Sequence, residues 1–421
     1  MNQILFLATL WAIGLLVAFI TLPVFLRRWK VGALIPVRWL VVLIVGVTLI
    51  VRLVPNFLLP VGAGFDIESY QIVGRMILAH KDIYASAETM NRHPYLPLQM
   101  YWLGLAVWLA DVIRIPFVQI VRLLPIASDA AVALALFLYL HRSISLKDAF
   151  LAGLLYACNP ISVLVSAYHG QFDALPMLFL MLAIMASIPS AGLWLGLGIL
   201  IKSWPVLGLP SLLFGIQGWK ERSLFLAQVA VMPVIGIGVY AMVFHPTTFV
   251  PMLAYVLGYN HGIGAWGYAY VAQLLSMSVP GWDGMFSLVV QNGKYLTLGA
   301  LGIVWLARAR WQLPAAGILT ILVAFFAFTH AFSIQYLVWL IPFALLNREC
   351  RWLRLYTVTG FGYMLWTYMT LILDMRVTQW MPWPQADWFL IRPTAVPVWL
   401  ITVLWAVERL RAVSVGSLGR Q

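Results

Sequence analysis

Residues 62–84, GAGFDIESYQIVGRMILAHKDIY, bring six ionisable side chains together in a chain that is 63% hydrophobic. A carboxylate in such a place can accept a proton as a general base, and a nearby cation can hold a phosphate group. Two neighbouring carboxylates can also hold a divalent cation together with a phosphate, although two acids alone are a weak signal. The six residues are Asp66, Glu68, Arg75, His80, Lys81 and Asp82.

Asp66 also has a purely structural interpretation, as the N-cap of a helix. It follows a glycine-rich turn, and a cap would accept a hydrogen bond from the backbone amide near Ser69. Glu68 would then complement the helix dipole in the first turn. Both interpretations stay open, because a catalytic carboxylate can also cap a helix.

Two other stretches place polar side chains at the ends of apolar runs. Polar groups confined to one face of an apolar protein indicate a site for a substrate that is partly lipid and partly polar. The residues are Arg92, His93 and Tyr95 in NRHPYLPLQMY, and His330, Gln335 and Tyr336 in FTHAFSIQYLVWLIPF.

Charged residues inside apolar runs are expected to be buried and paired, because each costs roughly 2.5 to 3.5 kcal/mol on membrane-insertion scales. Arg122 and Asp129 are seven residues apart, and His169 and Asp173 are four apart, so each pair would share a helix face. Such pairs either fix helix packing or belong to a site. The charged residues in these runs are Arg52, Arg122, Asp129, Asp173 and Lys202.

Lys202, in LIKSWPVLGLP, has no acid within one helical turn. A lysine before a proline-broken helix can anchor a phosphate, or it can place its ammonium at the membrane surface. Aromatic residues in two other stretches can form the wall of a site or an interfacial belt, and His261 lies between glycines in one of them. The aromatic residues are Trp266, Tyr268, Tyr270, Trp380, Trp383 and Trp388.

The composition defines a membrane protein, because only 10% of the 421 residues are charged and the mean hydropathy is +0.93. Residues 174–201 and 223–282 contain no Asp, Glu, Lys or Arg, and each run exceeds the roughly 20 residues that cross a bilayer. Such runs must be helical in lipid, so we predict an all-α fold. We find no zinc-ligand spacing and no phosphate-binding loop of the soluble type.

The net charge of +12 does not indicate a nucleic-acid partner, because the basic residues form short clusters at the ends of apolar runs. This is the positive-inside pattern of cytoplasmic loops. Two cysteines, Cys158 and Cys350, imply no disulfide framework. The first run, 4–26, lacks a basic segment before it and a cleavage site, so we expect a retained helix.

Run lengths and charges predict about thirteen crossings that start outside and leave outer loops at 61–94, 245–285 and 374–393. This count puts residues 141–148 outside despite Arg142 and Lys147, and breaks at Pro160, Pro205 and Pro210 leave the parity open. Apolar residues at steps of three and four after Ile67 predict an interfacial helix in the first outer loop. The predicted spans are 4–26, 39–60, 95–113, 118–140, 149–166, 171–188, 191–217, 224–244, 286–307, 313–329, 333–346, 355–373 and 394–407.

The order of several short motifs resembles the GT-C glycosyltransferases that use polyprenyl-phosphate sugars. The nearest likeness is to bacterial polyprenol-phosphate-mannose-dependent mannosyltransferases and to the GPI mannosyltransferase I group, over about residues 39–342. The sequence has Asp-Ile-Glu where many relatives have two aspartates, and HGQ where the GPI group has Arg-Gly-Asn. The motifs are FDIESY, HPYLPLQMY, RLLPIASDA, NPISVLVSAYHGQFDALP, KSWPVLGLP and SIQYLVWLIPF.

This resemblance implies one GT-C domain, with an extra helix at 1–38, a catalytic module at 39–285 and C-terminal helices at 286–421. It implies that Asp66 is the acidic residue of the first outer loop that acts at the active centre, with Glu68 in the place of a second acidic residue. The implied substrates are a polyprenyl-phosphate hexose, which is mannose in the relatives named above, and a lipid-linked or glycan acceptor on the extracytoplasmic face of the plasma membrane.

The expected chemistry needs a base for the acceptor hydroxyl, cations for the leaving phosphate and a wall for the sugar. Asp66 is the predicted base. The predicted phosphate ligands are Lys202 and Arg92, with Arg75 and Lys81 as substitutes. The predicted substrate-binding residues are His93, Tyr95, His169, Gln171, Asp173, His261, Trp266, His330, Gln335 and Tyr336.

Two other classes fit the same composition. A transporter or flippase of lipid-linked sugars would also use buried cations and broken helices, but the sequence shows no repeated halves. A ligase of similar architecture would differ only in its substrates.

Overall fold

The computed structural model describes residues 3–28, 35–62, 64–90, 92–244, 249–258, 264–307, 313–372 and 387–415. Most of these residues lie in helices, and the strands among them are only two residues long. The prediction of an all-α protein is therefore confirmed. The chain forms two compact units, Met1–His261 and Gly262–Gln421.

The first unit combines long apolar helices with short, interrupted ones. A π-helical turn (Leu164–His169) follows α8, and a 3-10 turn (Trp204–Gly208) precedes α11. The α-helices of this unit are α1 (Gln3–Arg28), α2 (Val37–Leu58), α3 (Gly64–Leu78), α4 (Gln99–Ile113), α5 (Phe117–Val121), α6 (Leu123–Leu140), α7 (Leu146–Ala157), α8 (Pro160–Val163), α9 (Ala174–Met185), α10 (Ile188–Ile201), α11 (Leu209–Gly215), α12 (Trp219–Val243) and α13 (Phe249–Gly258).

The second unit is built from longer helices around one small strand pair. Strands β1 (Gly264–Ala265) and β2 (Ala331–Phe332) are antiparallel, with Gly264 opposite Phe332. Its α-helices are α14 (Tyr268–Ser278), α15 (Met285–Ala307), α16 (Pro314–Phe328), α17 (Leu340–Leu346), α18 (Cys350–Ile372) and α19 (Arg392–Val415). A 3-10 turn (Ile334–Val338) precedes α17, and a π-helical turn (Asp387–Ile391) precedes α19.

Five helices within the described residues are long and apolar enough to cross a membrane. The pair Leu146–Ala157 and Pro160–His169, bent by 42°, would form a sixth span. The prediction of a membrane protein is therefore confirmed. The five spans are Gln3–Leu26, Val37–Leu58, Phe117–Leu140, Trp219–Val243 and Phe389–Arg411.

Helices α2 and α6 are antiparallel neighbours that establish the direction of the first unit. Arg52 in α2 lies against Asp129 in α6. One turn later in α2, the Asn56 side-chain amide donates to the Gln119 carbonyl at 3.0 Å, before α6 begins. The C-terminal end of α2 therefore lies beside the start of α6, and the loop after α6 lies at the opposite end.

The predicted pairing of Arg122 with Asp129 is wrong. Asp129 accepts hydrogen bonds from Arg52 Nε at 2.8 Å and from the Tyr156 hydroxyl at 2.5 Å. Arg122 instead donates to the backbone carbonyls of Val61 and Tyr168. Arg122 lies at the break between α5 and α6, so the regular helical spacing that the prediction assumed does not hold across it.

The chemical cause of this break is a proline. Pro125 has no backbone N–H, which leaves the carbonyl of Val121 without its usual partner in a helix. Trp102 Nε1 in the first turn of α4 donates to that carbonyl at 3.0 Å. Residues 102 and 121 are therefore neighbours, and α4 and α5 double back between them. The chain therefore returns at residue 121 to the level of residue 102, so the segment that contains the predicted crossing 95–113 makes no net crossing.

The predicted single span 191–217 is also wrong, because it contains two helices, α10 and α11, that run in opposite directions. Helix α10 ends at Lys202, and Pro205 Cβ then lies 3.5 Å from the position of a Cβ on Gly198. The chain therefore turns back near Lys202, and α11 runs toward the level at which α10 starts.

The change at 95–113 also alters the side on which the loop after α6 lies. The prediction that residues 141–148 lie on the same side as Asp66 is wrong, because α6 leads from the Asp66 end to the opposite end of the unit. Arg142 and Lys147 therefore join the end that carries Arg38, at the start of α2, and Lys220, at the start of α12.

Helix α1 packs beside α2 and leaves an open apolar groove between them. Its walls include Leu7, Leu10, Val51 and Leu58. Trp11 Nε1 donates to the Val51 carbonyl at 3.2 Å and links the two helices. The groove opens outward, as expected of a surface that faces hydrocarbon.

Candidate functional site around Asp66

Asp66 lies in the first turn of α3, opposite the end of a broken helix. Asn159 caps the second part of that broken helix by accepting from the amide of Ile161 at 3.0 Å, and Pro160 starts α8. The π-helical turn then ends at Gly170, whose φ of 83° turns the chain sharply. This turn directs His169 and Gln171 toward α3.

The carboxylate of Asp66 is held through one of its two oxygens. His169 Nε2 lies 2.5 Å from Oδ2, and Gln171 Nε2 donates to the same oxygen at 2.9 Å. No described residue donates a hydrogen bond to Oδ1. The Asp66 side chain is 31% exposed, whereas that of His169 is 6% exposed. The Asp66 side chain is therefore partly exposed, and Oδ1 is the oxygen left for a substrate hydroxyl.

The N-cap interpretation of Asp66 is wrong. Helix α3 starts at Gly64, so Asp66 lies inside the first turn, and its side chain points to another segment. The predicted helix in the first loop is present.

A second layer of charged residues supports Gln171. Lys202 Nζ donates to Gln171 Oε1 at 3.1 Å and to Asp173 Oδ2 at 2.7 Å. Asp173 is completely buried. The lysine thus orients the amide so that its N–H groups face Asp66. The sequence placed no acid near Lys202, because Asp173 is 29 residues away along the chain.

The prediction that His169 and Asp173 share a helix face is also wrong. Gly170 separates the π-helical turn from α9, so the two residues do not belong to one regular helix. His169 contacts Asp66, and Asp173 contacts Lys202. They act in successive layers of the same site.

The electrostatic balance favours an ionised Asp66. Burial raises the pKa of this carboxyl. The hydrogen bond and charge of His169, the hydrogen bond from Gln171 and the charge of Lys202 together lower the pKa by more than burial raises it, so the net pKa is lowered. The group is therefore negatively charged at neutral pH.

Arg92 is the predicted phosphate ligand that lies beside the start of α3. Its guanidinium is 3.5 Å from a Glu68 carboxylate oxygen, donates to the Ser69 hydroxyl at 3.1 Å, and lies 5.0 Å from the ring centre of Phe65. The Glu68 side chain is 61% exposed. Glu68 is thus paired with Arg92, away from the His169 contact of Asp66.

Arg75 and Lys81 are exposed and contact no residue of the Asp66 cluster. Arg75 is nine residues after Asp66, which is half a turn out of phase in a helix. Tyr95 does join the cluster, because its ring centre is 5.1 Å from Lys202 Nζ. His93 packs behind it, with 5.4 Å between the two ring centres.

The predicted residues of the second unit form a cluster of their own. Trp266 stacks on Phe332 with ring centres 4.0 Å apart, and its indole N–H donates to the Phe326 carbonyl at 2.8 Å. Gln335 accepts from the Ser333 hydroxyl, and Tyr336 stacks on Trp339. His330 is half-buried, and burial lowers its pKa.

Some predicted residues fall outside the described part of the chain. His261, Trp380, Trp383 and the side chain of Trp388 are among them. Within the described residues no group of three or more His, Cys, Asp or Glu side chains could hold a metal ion.

Two polar residues beside the site were not recognised in the sequence. Tyr70 is one turn after Asp66 in α3, and Gln99 is the first residue of α4. The four-residue step from Asp66 to Tyr70 was a usable signal. Nothing in the sequence marked Gln99, because only the packing of α4 on α3 buries it.

Comparisons with known proteins leave function to be inferred from this geometry. A scan against protein-family models found no match, and a search of curated proteins found no similar sequence.

Proposed function

We propose that the chain is a membrane glycosyltransferase of the GT-C type that transfers a hexose from a polyprenyl-phosphate sugar to a lipid-linked or glycan acceptor. The sugar assigned is mannose, on the resemblance of the motifs described above. The observation that carries the proposal is the Asp66 carboxylate, which is ionised, partly exposed and held through one oxygen, with no hydrogen-bond donor to the other among the described residues.

The reaction follows from this arrangement. The acceptor hydroxyl donates its proton to Oδ1 of Asp66 as its oxygen attacks the anomeric carbon of the donor. The new carbon–oxygen bond forms on one face of the sugar while the bond to the phosphate breaks on the other. The polyprenyl phosphate leaves with the electron pair of the broken bond, and the configuration at the anomeric carbon is inverted.

The leaving phosphate needs a cation at the membrane surface. Arg92 fits this role best, because it is partly exposed and lies beside the first turn of α3. Lys202 has its ammonium between Asp173 and Gln171. Its main contribution is to orient Gln171 and to lower the pKa of Asp66.

The charges of the first unit support an extracytoplasmic site in the plasma membrane. Basic residues cluster at one end of α2, α6 and α12, and such residues favour the cytoplasm. Asp66 follows the other end of α2. Tyr240, near the end of α12, donates to Asp82 at 2.7 Å. The end of α12 and the loop after α2 therefore lie at the same outer end of the first unit. We propose thirteen crossings, in which α4 is not counted and the two segments of the predicted span 191–217 are counted separately, with α3 in the membrane interface.

Replacement of Asp66 by Asn tests the role of the base. Asp66→Asn keeps the shape of the side chain and removes its charge, so the transfer rate should fall roughly 10² to 10⁴-fold. The measurement is transfer from radiolabelled polyprenyl-phosphate mannose to membrane lipid acceptors by the purified protein.

Two further variants complete this test. Glu68→Gln should have a smaller effect than Asp66→Asn, because Glu68 is exposed and paired with Arg92. Glu88→Gln removes an exposed acid of the same loop and should leave the rate unchanged. Transfer by Asp66→Asn at the parental rate would exclude Asp66 as the base.

One observation favours a flippase as the second candidate. Two interrupted helical segments, one broken at Asn159 and the other at Lys202, meet at the site, and discontinuous helices are common in transporters. Movement of the labelled lipid across vesicles without formation of a new glycosidic bond would identify this activity.

A further inference from the structure

Two buried polar side chains beside Asp66 have no hydrogen-bond partner among the described residues. They are the hydroxyl of Tyr70 and the amide of Gln99, both of whose polar atoms are unpaired. Tyr70 is 2% exposed and Gln99 is 3% exposed. Buried polar groups are nearly always paired, because an unpaired one has lost its hydration without compensation. These groups therefore call for a partner that is not part of the protein.

The position of Tyr70 connects this pair to the reaction centre. Asp66 and Tyr70 are four residues apart in α3, so they lie on the same face of the helix. Asp66 contacts His169 and Gln171, and the Tyr70 ring lies edge-on to Phe172 with 5.1 Å between ring centres. Helix α3 thus directs a carboxylate and a hydroxyl toward one segment, residues 169–172.

Gln99 adjoins the same region from α4, which packs closely on α3. Burial raises the pKa of Tyr70, nearby Tyr95, Asp66 and Asp173 raise it further, and Gln99 has a small opposite effect. The Tyr70 hydroxyl is therefore protonated at neutral pH. It is close to Gln99 without a geometry that forms a hydrogen bond.

The chemistry of the pair indicates the kind of ligand. A tyrosine hydroxyl both donates and accepts, and a glutamine amide has two donor hydrogens and an accepting oxygen. The pair carries no charge, so it offers nothing to compensate an ion. Sugar hydroxyls also donate and accept, and they match such a neutral pair.

We propose that Tyr70 and Gln99 bind ring hydroxyls of the donor hexose whose anomeric carbon reacts beside Asp66. This inference rests on the proposed function and adds the place of the sugar within the site. Because the polar atoms of both residues have almost no exposed surface, the hexose reaches them only after neighbouring side chains move. Tyr95 and Asp66 are the partly exposed residues whose charges act on Tyr70.

Lipid binding by the purified full-length protein tests the proposal. The ligands are polyprenyl-phosphate mannose and the same polyprenyl phosphate without a sugar, and the dissociation constant is measured for each. Tyr70→Phe and Gln99→Met each remove the polar groups at nearly constant volume. Each variant should bind the mannose lipid roughly 3- to 10-fold more weakly and the sugarless lipid as the parent does.

Thermal unfolding separates ligand binding from a structural role. Removal of an unpaired buried group should leave the melting temperature unchanged or raise it. The matched control is Tyr356→Phe, because the buried Tyr356 hydroxyl donates to the Leu337 carbonyl at 2.7 Å in the second unit. This control should lower the melting temperature and keep the parental preference for the mannose lipid.

Three results would overturn the inference. The first is equal affinity of the parent for both lipids, including no binding of either. The second is an equal loss of affinity for both lipids in Tyr70→Phe and Gln99→Met. The third is unchanged binding of the mannose lipid by both variants, which is expected if the pair binds only water or the acceptor. A parent that prefers the mannose lipid but transfers no sugar would exclude the proposed enzyme and leave only the sugar-binding role of Tyr70 and Gln99 standing.

Discussion

The two oxygens of Asp66 have different surroundings, and this asymmetry defines the site at the level of residues. One oxygen accepts from His169 and Gln171, and the other has no hydrogen-bond donor among the described residues. A carboxylate held in this way keeps its orientation before a substrate arrives. The sequence indicated Asp66 by its charge, but the partners are more than a hundred residues away in the chain. Local spacing could not reveal them.

The buried His93 gives the first unit a predicted dependence on pH. Burial lowers the pKa of His93 to about 3, whereas an unfolded histidine has a pKa of about 6.5. Between these values the unfolded chain binds the additional proton, so stability falls as the pH decreases below about 6.5, by at most about 1.4 kcal/mol per pH unit.

We therefore expect His93→Phe to lose less stability than the parent between pH 7.5 and pH 5. Thermal unfolding of the purified protein across this range measures the difference. The control is His80→Asn, since His80 is exposed and has a positive φ that asparagine accepts. It should follow the parental curve. A curve for His93→Phe that parallels the parent would contradict a neutral, buried His93.

At the level of elements, the site depends on interruptions in helices. The breaks at Asn159, Gly170 and Lys202 bring residues from separate segments to the start of α3. The sequence showed prolines near two of these breaks, and this part was predictable. It did not show which segments double back, because short apolar runs fit either a crossing or a hairpin.

Gly170→Ala should disturb the site more than the fold. An alanine at a φ of 83° has a strain of about 1–2 kcal/mol, and its Cβ would lie 3.0 Å from Ile67 Cδ1 and 3.2 Å from Arg122 Cγ. Relief of this crowding shifts His169 and Gln171. A shift of about 1 Å can reduce the rate about 10²-fold, so we expect a loss of that order in the transfer assay.

Gly46→Ala is the matched control, because Gly46 lies in α2 with no atom within 4 Å of an added Cβ. It should keep the parental rate and melt at the same or a slightly higher temperature. Parental activity in Gly170→Ala would show that the left-handed turn is not needed to place His169.

At the level of the whole chain, composition was sufficient to predict an all-α membrane protein. Composition did not predict which charged residues pair, because Arg52 could form an ion pair with any buried acidic residue. Asp129 is its partner in the folded chain, where α2 and α6 are antiparallel neighbours. Helix direction is a property of packing, and hydropathy alone does not encode it.

The orientation of the first unit can be tested by cysteine labelling. The background is Cys350→Ser, and the remaining Cys158 is buried. In right-side-out vesicles, a membrane-impermeant maleimide should label Glu88→Cys directly and Lys220→Cys only after permeabilisation. Both positions are exposed. The reverse pattern would place Asp66 in the cytoplasm.

The open groove between α1 and α2 makes the packing of α1 depend on the surrounding lipid. The residues that line it are apolar, so we expect acyl chains of the bilayer to contact it without chemical selectivity. Acyl chains of a fluid bilayer adapt to the shape of such a groove better than the straight acyl chains of a gel-phase bilayer. The contact of α1 with the rest of the protein is therefore completed by the bilayer, and its strength varies with the melting behaviour of the lipids.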